Sequence, residues 1–209
     1  MAEFSLFQRS GLEQLTRQAV QGADVHEPGI VALLRSDLAL AYVLARNGKA
    51  EALRQRVQDC FSLRLPMAAQ QAENAGNPGP DGLHFIWAGP GRWLAAAPAQ
   101  TGASFEAMLR GELSAMASVI NQTDGRCVFR ISGPNLREVL AKGLPIELDP
   151  RVFGPGDTAL SLIGHINVHV WQIDHTPTYD VAVPRSFAAS FCDWLFAAAA
   201  SYGIAFRIA

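Results

Sequence analysis

VINQTDGRCVFRISGPNLREVLAKG (residues 119–143) changes periodicity midway, and that change decides the fold class. A short strand around Val119 runs into the polar turn Gln122-Thr123-Asp124-Gly125. From Arg126 to Ser132 the chain alternates, with Cys127, Phe129 and Ile131 facing inward, as in a strand. Ser132-Gly133-Pro134 then opens a helix, Ser132 serving as cap and proline being tolerated in the first turn. Leu136, Val139 and Leu140 fall on one helical face, and Gly143 stops it. Strand, turn and helix in this order begin a split β-α-β unit.

Downstream, a Pro- and Gly-rich connection leads to strands Thr158–Gly164, Ile166–Ile173 and Tyr179–Val183. A helix over Arg185–Tyr202 buries Phe187, Phe191, Trp194, Leu195 and Ala198. Gly203 ends it, and a last strand carries Ile204, Phe206 and Ile208. Upstream, Leu40–Ala45 reads as a buried strand and Gly48–Phe61 as a helix with the stripe Ala50, Leu53, Val57 and Phe61. A polar loop (66–82) precedes strands Leu83–Trp87 and Arg92–Ala96, which turn at Gly89-Pro90-Gly91. The next helix starts near Ser104 and aligns Phe105, Met108, Leu109, Leu113 and Met116. The expectation is an α+β fold of tandem split β-α-β (ferredoxin-like) units. It forms one body, 29–209, of two pseudo-repeats (about 29–123 and 124–209). Residues 1–28 form an N-terminal arm and a short helix, Ser10–Val20, opened by the Ser10/Glu13 capping box.

Composition narrows the function classes. The 209 residues are 49% hydrophobic but only 17% charged, below the usual ~25%. Few charges suit a surface that partly faces another protein, since interface cores are poor in charge. The apolar arm residues Phe4, Leu6 and Phe7 are the candidate subunit contact, because exposed aromatic residues need cover. A net charge of -2 and the absence of a basic cluster exclude phosphate-backbone binding. Arg54-Gln55-Arg56, among Glu51 and Asp59, reads as a solvated helix face. Three scattered cysteines (Cys60, Cys127, Cys192) form neither a disulfide framework nor a zinc site and suit a reducing compartment. With neither a signal peptide nor a long apolar run, a cytoplasmic location is expected.

No catalytic motif stands out. His165 and His169, read on one strand, are roughly 13 Å apart and cannot share a metal; His26, His84 and His175 add no ligand spacing, so no metal site is expected. Cys127 and Cys192 look like small core residues. Glu147, Asp149 and Asp157 cluster in a loop, and Asp174 and Asp180 flank a hairpin, where acids are usually solvated. Trp87, Trp93, Trp171 and Trp194 fit core positions, one or two being candidate interface anchors.

Four segments together resemble the gamma subunit family of heterotetrameric sarcosine oxidase: GIVALLRSDLALAYVLARNG (29–48), FIWAGPGRWLAAAP (85–98), VINQTDGRCVFRISGPNLREVLAKGLPIELDPRVF (119–153) and YDVAVPRSFAASFCDWLFAAA (179–199). The third carries the most specific signals: Gln-x-Asp-Gly-Arg, Ser-Gly-Pro, Lys-Gly-x-Pro and Leu-Asp-Pro. The resemblance implies a fold related to the folate-binding aminomethyltransferase domains of the glycine cleavage system. It implies a complex that demethylates sarcosine to glycine with formation of hydrogen peroxide and methylene-tetrahydrofolate. FAD, FMN, NAD and tetrahydrofolate would be held by partner subunits, with no cofactor in this chain. The main contact would be the alpha subunit, with beta and delta in the same assembly.

The departures from the folate-binding pattern imply a chain without catalytic or cofactor-binding residues. Leu144-Pro145-Ile146-Glu147-Leu148-Asp149 lacks the Thr-Asn that precedes the folate-binding aspartate. Asp174 to Asp180 lacks Thr-Gly-Glu and keeps only the final Tyr179-Asp180 pair, so a buried carboxylate for the pterin is expected to be missing. The alternative is a stand-alone folate-binding protein, with Glu147 or Asp149 replacing the lost aspartate.

Overall fold

The computed structural model describes residues 20–21, 28–69, 82–98 and 101–208. Strands are β1 (Val20–Gln21), β2 (Ile30–Leu34), β3 (Leu38–Ala45), β4 (His84–Trp87), β5 (Arg92–Pro98), β6 (Ala117–Asn121), β7 (Arg126–Ser132), β8 (Thr158–Ile163), β9 (Ile166–Asp174), β10 (Thr178–Pro184) and β11 (Ile204–Ile208). Helices are α1 (Ala50–Phe61), α2 (Gly102–Leu113), α3 (Leu136–Ala141) and α4 (Ala188–Ala199).

The chain is α+β, as expected. The smaller sheet runs β4-β5-β3-β6. In chain order that is second, third, first, fourth, the arrangement of a split β-α-β unit with two helices on one face. The larger sheet runs β1-β11-β2-β7-β10-β9-β8. Within it β9, β10, β7 and β11 repeat the same order, with β2 inserted between β7 and β11 and β8 added at the edge.

Each sheet buries its outer face under its own helices. Leu53, Val57, Phe105 and Leu109 from α1 and α2 pack on Val43, Phe85 and Trp93. Leu136, Leu140, Phe191 and Leu195 from α3 and α4 pack on Phe129, Tyr179 and Val181. The inner faces meet each other through Leu40, Ile86, Leu94 and Ala96 against Val128, Trp171 and Ala182. Four layers result: helix, sheet, sheet, helix.

Some expectations are corrected. β2 is a strand that the sequence pattern does not signal: its five residues, IVALL, carry no alternation, and its partners are distant, parallel to β11 and antiparallel to β7. Ser132 does not cap α3. It is the last residue of β7, and Asn135 precedes the helix without a side-chain cap bond. The last helix is shorter than expected, a 3-10 turn over Arg185–Phe187 leading into α4, and Phe187, expected to be buried, is exposed because it lies in that turn. His165 is not on a strand; it sits in the β8–β9 turn with φ 70°, and only His169 belongs to β9. Phe4, Leu6 and Phe7 and the Ser10 helix lie outside the described residues, except Val20, which is in β1 and pairs with Ala205.

Two motif glycines have steric reasons. A Cβ on Gly133 (φ +141°) would stand 2.1 Å from the Gly29 carbonyl oxygen, and one on Gly143 would stand 2.6 Å from the Trp194 ring. The first lets β7 turn tightly beside β2; the second lets α4 seat its indole against the end of α3.

Candidate functional site

The facing sheets enclose a cavity of about 280 Å³, lined by Arg35, His84, Arg130, Asp180, Trp171 and a set of apolar residues including Ile86 and Ile173. Strand pleat places these groups. Phe129 and Ile131 point to α4, so Arg130 between them must point to the other sheet. Asp180 is its direct cross-strand partner on β10.

Arg130 donates Nε and Nη2 to the two carboxylate oxygens of Asp180, both at 2.8 Å. Asp180 is 3% exposed, so the structure corrects the expectation of a solvated hairpin acid. Asp180 belongs to the retained Tyr179-Asp180 pair, and its carboxylate is already bound by an arginine. That bond raises the Arg130 pKa further. Arg35 makes the same kind of fork to Asp37, with both bonds at 2.7 Å, and holds that carboxyl below its ordinary range. His84 is the remaining titratable group of the wall, and burial pushes its pKa down, favouring the neutral ring. No hydroxyl, thiol or amine side chain lines this cavity among the described residues.

The other candidate residues lie elsewhere. Glu147 is exposed and accepts from the Asp149 backbone N–H at 2.9 Å, while Asp149 accepts from Arg151 at 2.7 Å. Neither lines the cavity. Asp157 accepts from the Gly154 N–H, and Asp174 from the Thr176 hydroxyl. Cys127 and Cys192 are buried core residues, and the Arg54–Glu51 and Gln55–Asp59 contacts confirm a solvated helix face. Trp93 and Trp171 are buried, and Trp87 and Trp194 half-buried, all on strands or α4. No group of three metal-ligating side chains occurs among the described residues, nor a helix long and apolar enough to cross a membrane.

His169 pins the two sheets together. Its Nε2 is 3.0 Å from the Trp87 carbonyl of β4 and 2.9 Å from the Thr158 hydroxyl of β8. The Thr158 hydroxyl donates to the Val170 carbonyl at 2.9 Å, so Nε2 carries the proton and donates to both oxygens. Burial keeps this ring neutral, with its pKa lowered to about 3.

Comparison with known proteins matches residues 46–201 to the model of the sarcosine oxidase, gamma subunit family. Sarcosine oxidase subunit gamma of Arthrobacter sp is 29% identical over 189 residues, covering 90% of this chain and 87% of that protein. Its counterpart in Corynebacterium sp. (strain P-1) is 31% identical over 125 residues, 58% of this chain and 59% of that one. Among solved structures, a chain of heterotetrameric sarcosine oxidase from Corynebacterium sp. U-96, in complex with pyrrole 2-carboxylate, superposes with TM-score 0.76 at 22% identity, covering 92% of this chain and 94% of that chain. Glycine cleavage system aminomethyltransferase T from Bartonella henselae superposes with TM-score 0.62 at 15% identity, over 87% of this chain and 48% of that one. At these identities the superpositions establish a shared fold, the one the resemblance implied.

Proposed function

The chain belongs to the sarcosine oxidase gamma subunit family, and on that premise we propose that it is the non-catalytic gamma subunit of a heterotetrameric sarcosine oxidase. The assembly demethylates sarcosine oxidatively to glycine, with hydrogen peroxide and methylene-tetrahydrofolate as further products. FAD, FMN, NAD and tetrahydrofolate reside in the partner subunits. The alpha subunit is the main contact, with beta and delta in the same assembly, in the cytoplasm.

One observation carries the non-catalytic reading. Both arginines of the inter-sheet cavity are engaged by aspartates, Arg130 by Asp180 and Arg35 by Asp37. A carboxylate held in a guanidinium fork is a poor base and a poor nucleophile. Leu160 and Leu162 support the subunit role: they are 52% and 44% exposed on the edge strand β8, a strand without a charged residue. Edge strands left without charge or cover invite pairing with another chain.

Co-expression of the tagged chain with the alpha, beta and delta chains tests the reading. The expected result is a stoichiometric complex that turns over sarcosine, with no turnover by the chain alone. A monodisperse chain that ignores the other three overturns it.

Asp180 gives the folate-binding alternative a specific footing, as a buried carboxylate in a cavity. The cavity, about 280 Å³, falls just below the ~300–1,000 Å³ typical of ligand sites, and the carboxylate already has its cation. Calorimetry with tetrahydrofolate is expected to give no heat with the isolated chain, whereas saturable binding would favour the alternative.

A further inference from the structure

The turn Gln122–Arg126 carries one of the four specific motifs of residues 119–153, yet it has no part in the inter-sheet cavity. Gly125 and Arg126 both donate backbone N–H groups to the Gln122 carbonyl, at 3.0 and 3.1 Å. Thr123 ties the turn to β3, its hydroxyl accepting from the Leu40 N–H at 3.0 Å. A second cavity, about 270 Å³, opens beside this turn, and Arg35, Asp124, Arg126 and Arg185 stand on its wall.

Positive charge is in excess there. Arg35 is neutralised by Asp37. Arg185 has only a loose contact with Asp124, at 3.7 Å, and that carboxylate is 74% exposed, so the pair holds little energy in water. Arg126 makes no ion pair with any described residue, and its Nε is covered from solvent without an acceptor. The guanidinium lies over the Tyr42 ring, 5.2 Å from the centroid. The guanidinium N–H donors lie in one plane and form a fixed fork for an acceptor.

We propose that this cavity is a carboxylate-binding site, with Arg126 as the main donor and Arg185 as the second. A planar fork of N–H groups matches two coplanar oxygens better than a tetrahedral anion. The contact with the Tyr42 ring restricts the side chain, so less entropy is lost on binding. Asp124 is the built-in competitor. A free small acid and an acidic side chain of a neighbouring subunit offer the same chemistry.

Sodium acetate is titrated into the full chain at constant ionic strength, with chloride as the balancing anion, and the arginine side-chain N–H resonances are followed. The expected result is a saturable shift of the Arg126 signals. Arg185→Gln weakens binding at least about threefold and Arg126→Lys, which keeps the charge and the turn, about tenfold, because the fork is lost. Asp124→Asn tightens it. Arg151→Gln, at an exposed arginine bound to Asp149, leaves it unchanged. In the assembled oxidase, a retained acetate shift identifies a free acid as the ligand. A shift lost on assembly, together with weakened assembly of Arg126→Lys, identifies a partner's carboxylate. Absence of a saturable shift, equal binding by folded Arg126→Lys, or sulfate binding as tightly as acetate overturns the proposal.

Discussion

Arg130 and Asp180 face each other at one cross-strand position of β7 and β10 and join through two bonds of 2.8 Å. Their environments differ: the Asp180 side chain is 4% exposed and that of Arg130 36%. Removing the carboxylate leaves a half-buried guanidinium without its acceptor. Asp180→Asn is expected to cost about 2 kcal/mol, the range for a lost charge-assisted bond in a partly buried pair. Arg130→Met combined with Asp180→Leu should cost less than the two single changes added together, because neither charge is then stranded. Urea titration of the four proteins measures this; additive losses would mean the pair is not coupled.

His169 makes the stability depend on pH with a defined sign. The native pKa is about 3, against about 6.5 in an unfolded chain. Above pH 6.5 both states are neutral and the full stability is present. Below it the unfolded chain takes up a proton that the native ring refuses, so stability falls as pH drops from 6.5 towards 3, at about 1.4 kcal/mol per unit. Between pH 7 and pH 5 this one residue should remove roughly 2 kcal/mol. His169→Gln is expected to flatten that part of the profile in urea titrations. A profile that keeps its slope would place the acid sensitivity elsewhere.

Most elements were legible because their patterns are local. Cys127, Phe129 and Ile131 alternate along β7, with Val128 the one apolar residue on the other face, and the α1 stripe Leu53, Val57 and Phe61 recurs at helical spacing. The same alternation implied that Arg130 faces away from Phe129, but not that a second sheet waits on that side. The Arg130–Asp180 pair spans 50 residues and depends on strand register, which only the folded chain sets. β2 was missed for the same reason: it pairs with β11 at the far end of the chain, and an all-apolar run of five residues has no period to read. Ser132 illustrates the converse. Its chemistry suits a cap, but the pairing of β7 with β10 reaches it first.

Gly133 and Gly143 separate two kinds of steric constraint. At Gly133 a methyl group meets rigid backbone, the Gly29 carbonyl at 2.1 Å, with φ at +141°. At Gly143 it meets the Trp194 ring, a half-buried side chain that can shift. Gly133→Ala is expected to cost about 3 kcal/mol or more, backbone strain adding to overpacking. Gly143→Ala should cost about 1–2 kcal/mol and should also alter Trp194 fluorescence. Melting curves that rank the two in the opposite order would show that β2 yields more easily than α4.

The three thiols should differ sharply in reactivity. Cys192 is fully buried, and burial, with Asp193 adding to it, pushes its pKa up to about 12. Burial also raises Cys127. Cys60 is half-buried on α1 and donates to the Glu112 carboxylate at 3.2 Å; burial and that hydrogen bond both raise its pKa. Since the thiolate is the reactive form, a disulfide reagent at pH 8 should modify Cys60 alone in the native chain, and slowly. Glu112→Gln removes the charge that opposes ionisation, so the rate at Cys60 should rise several-fold while Cys127 and Cys192 stay protected until the chain unfolds. Peptide mapping after timed labelling gives the answer. Native-state labelling of Cys192 at a comparable rate would mean that α4 opens from the large sheet far more often than its packing against Phe129 allows.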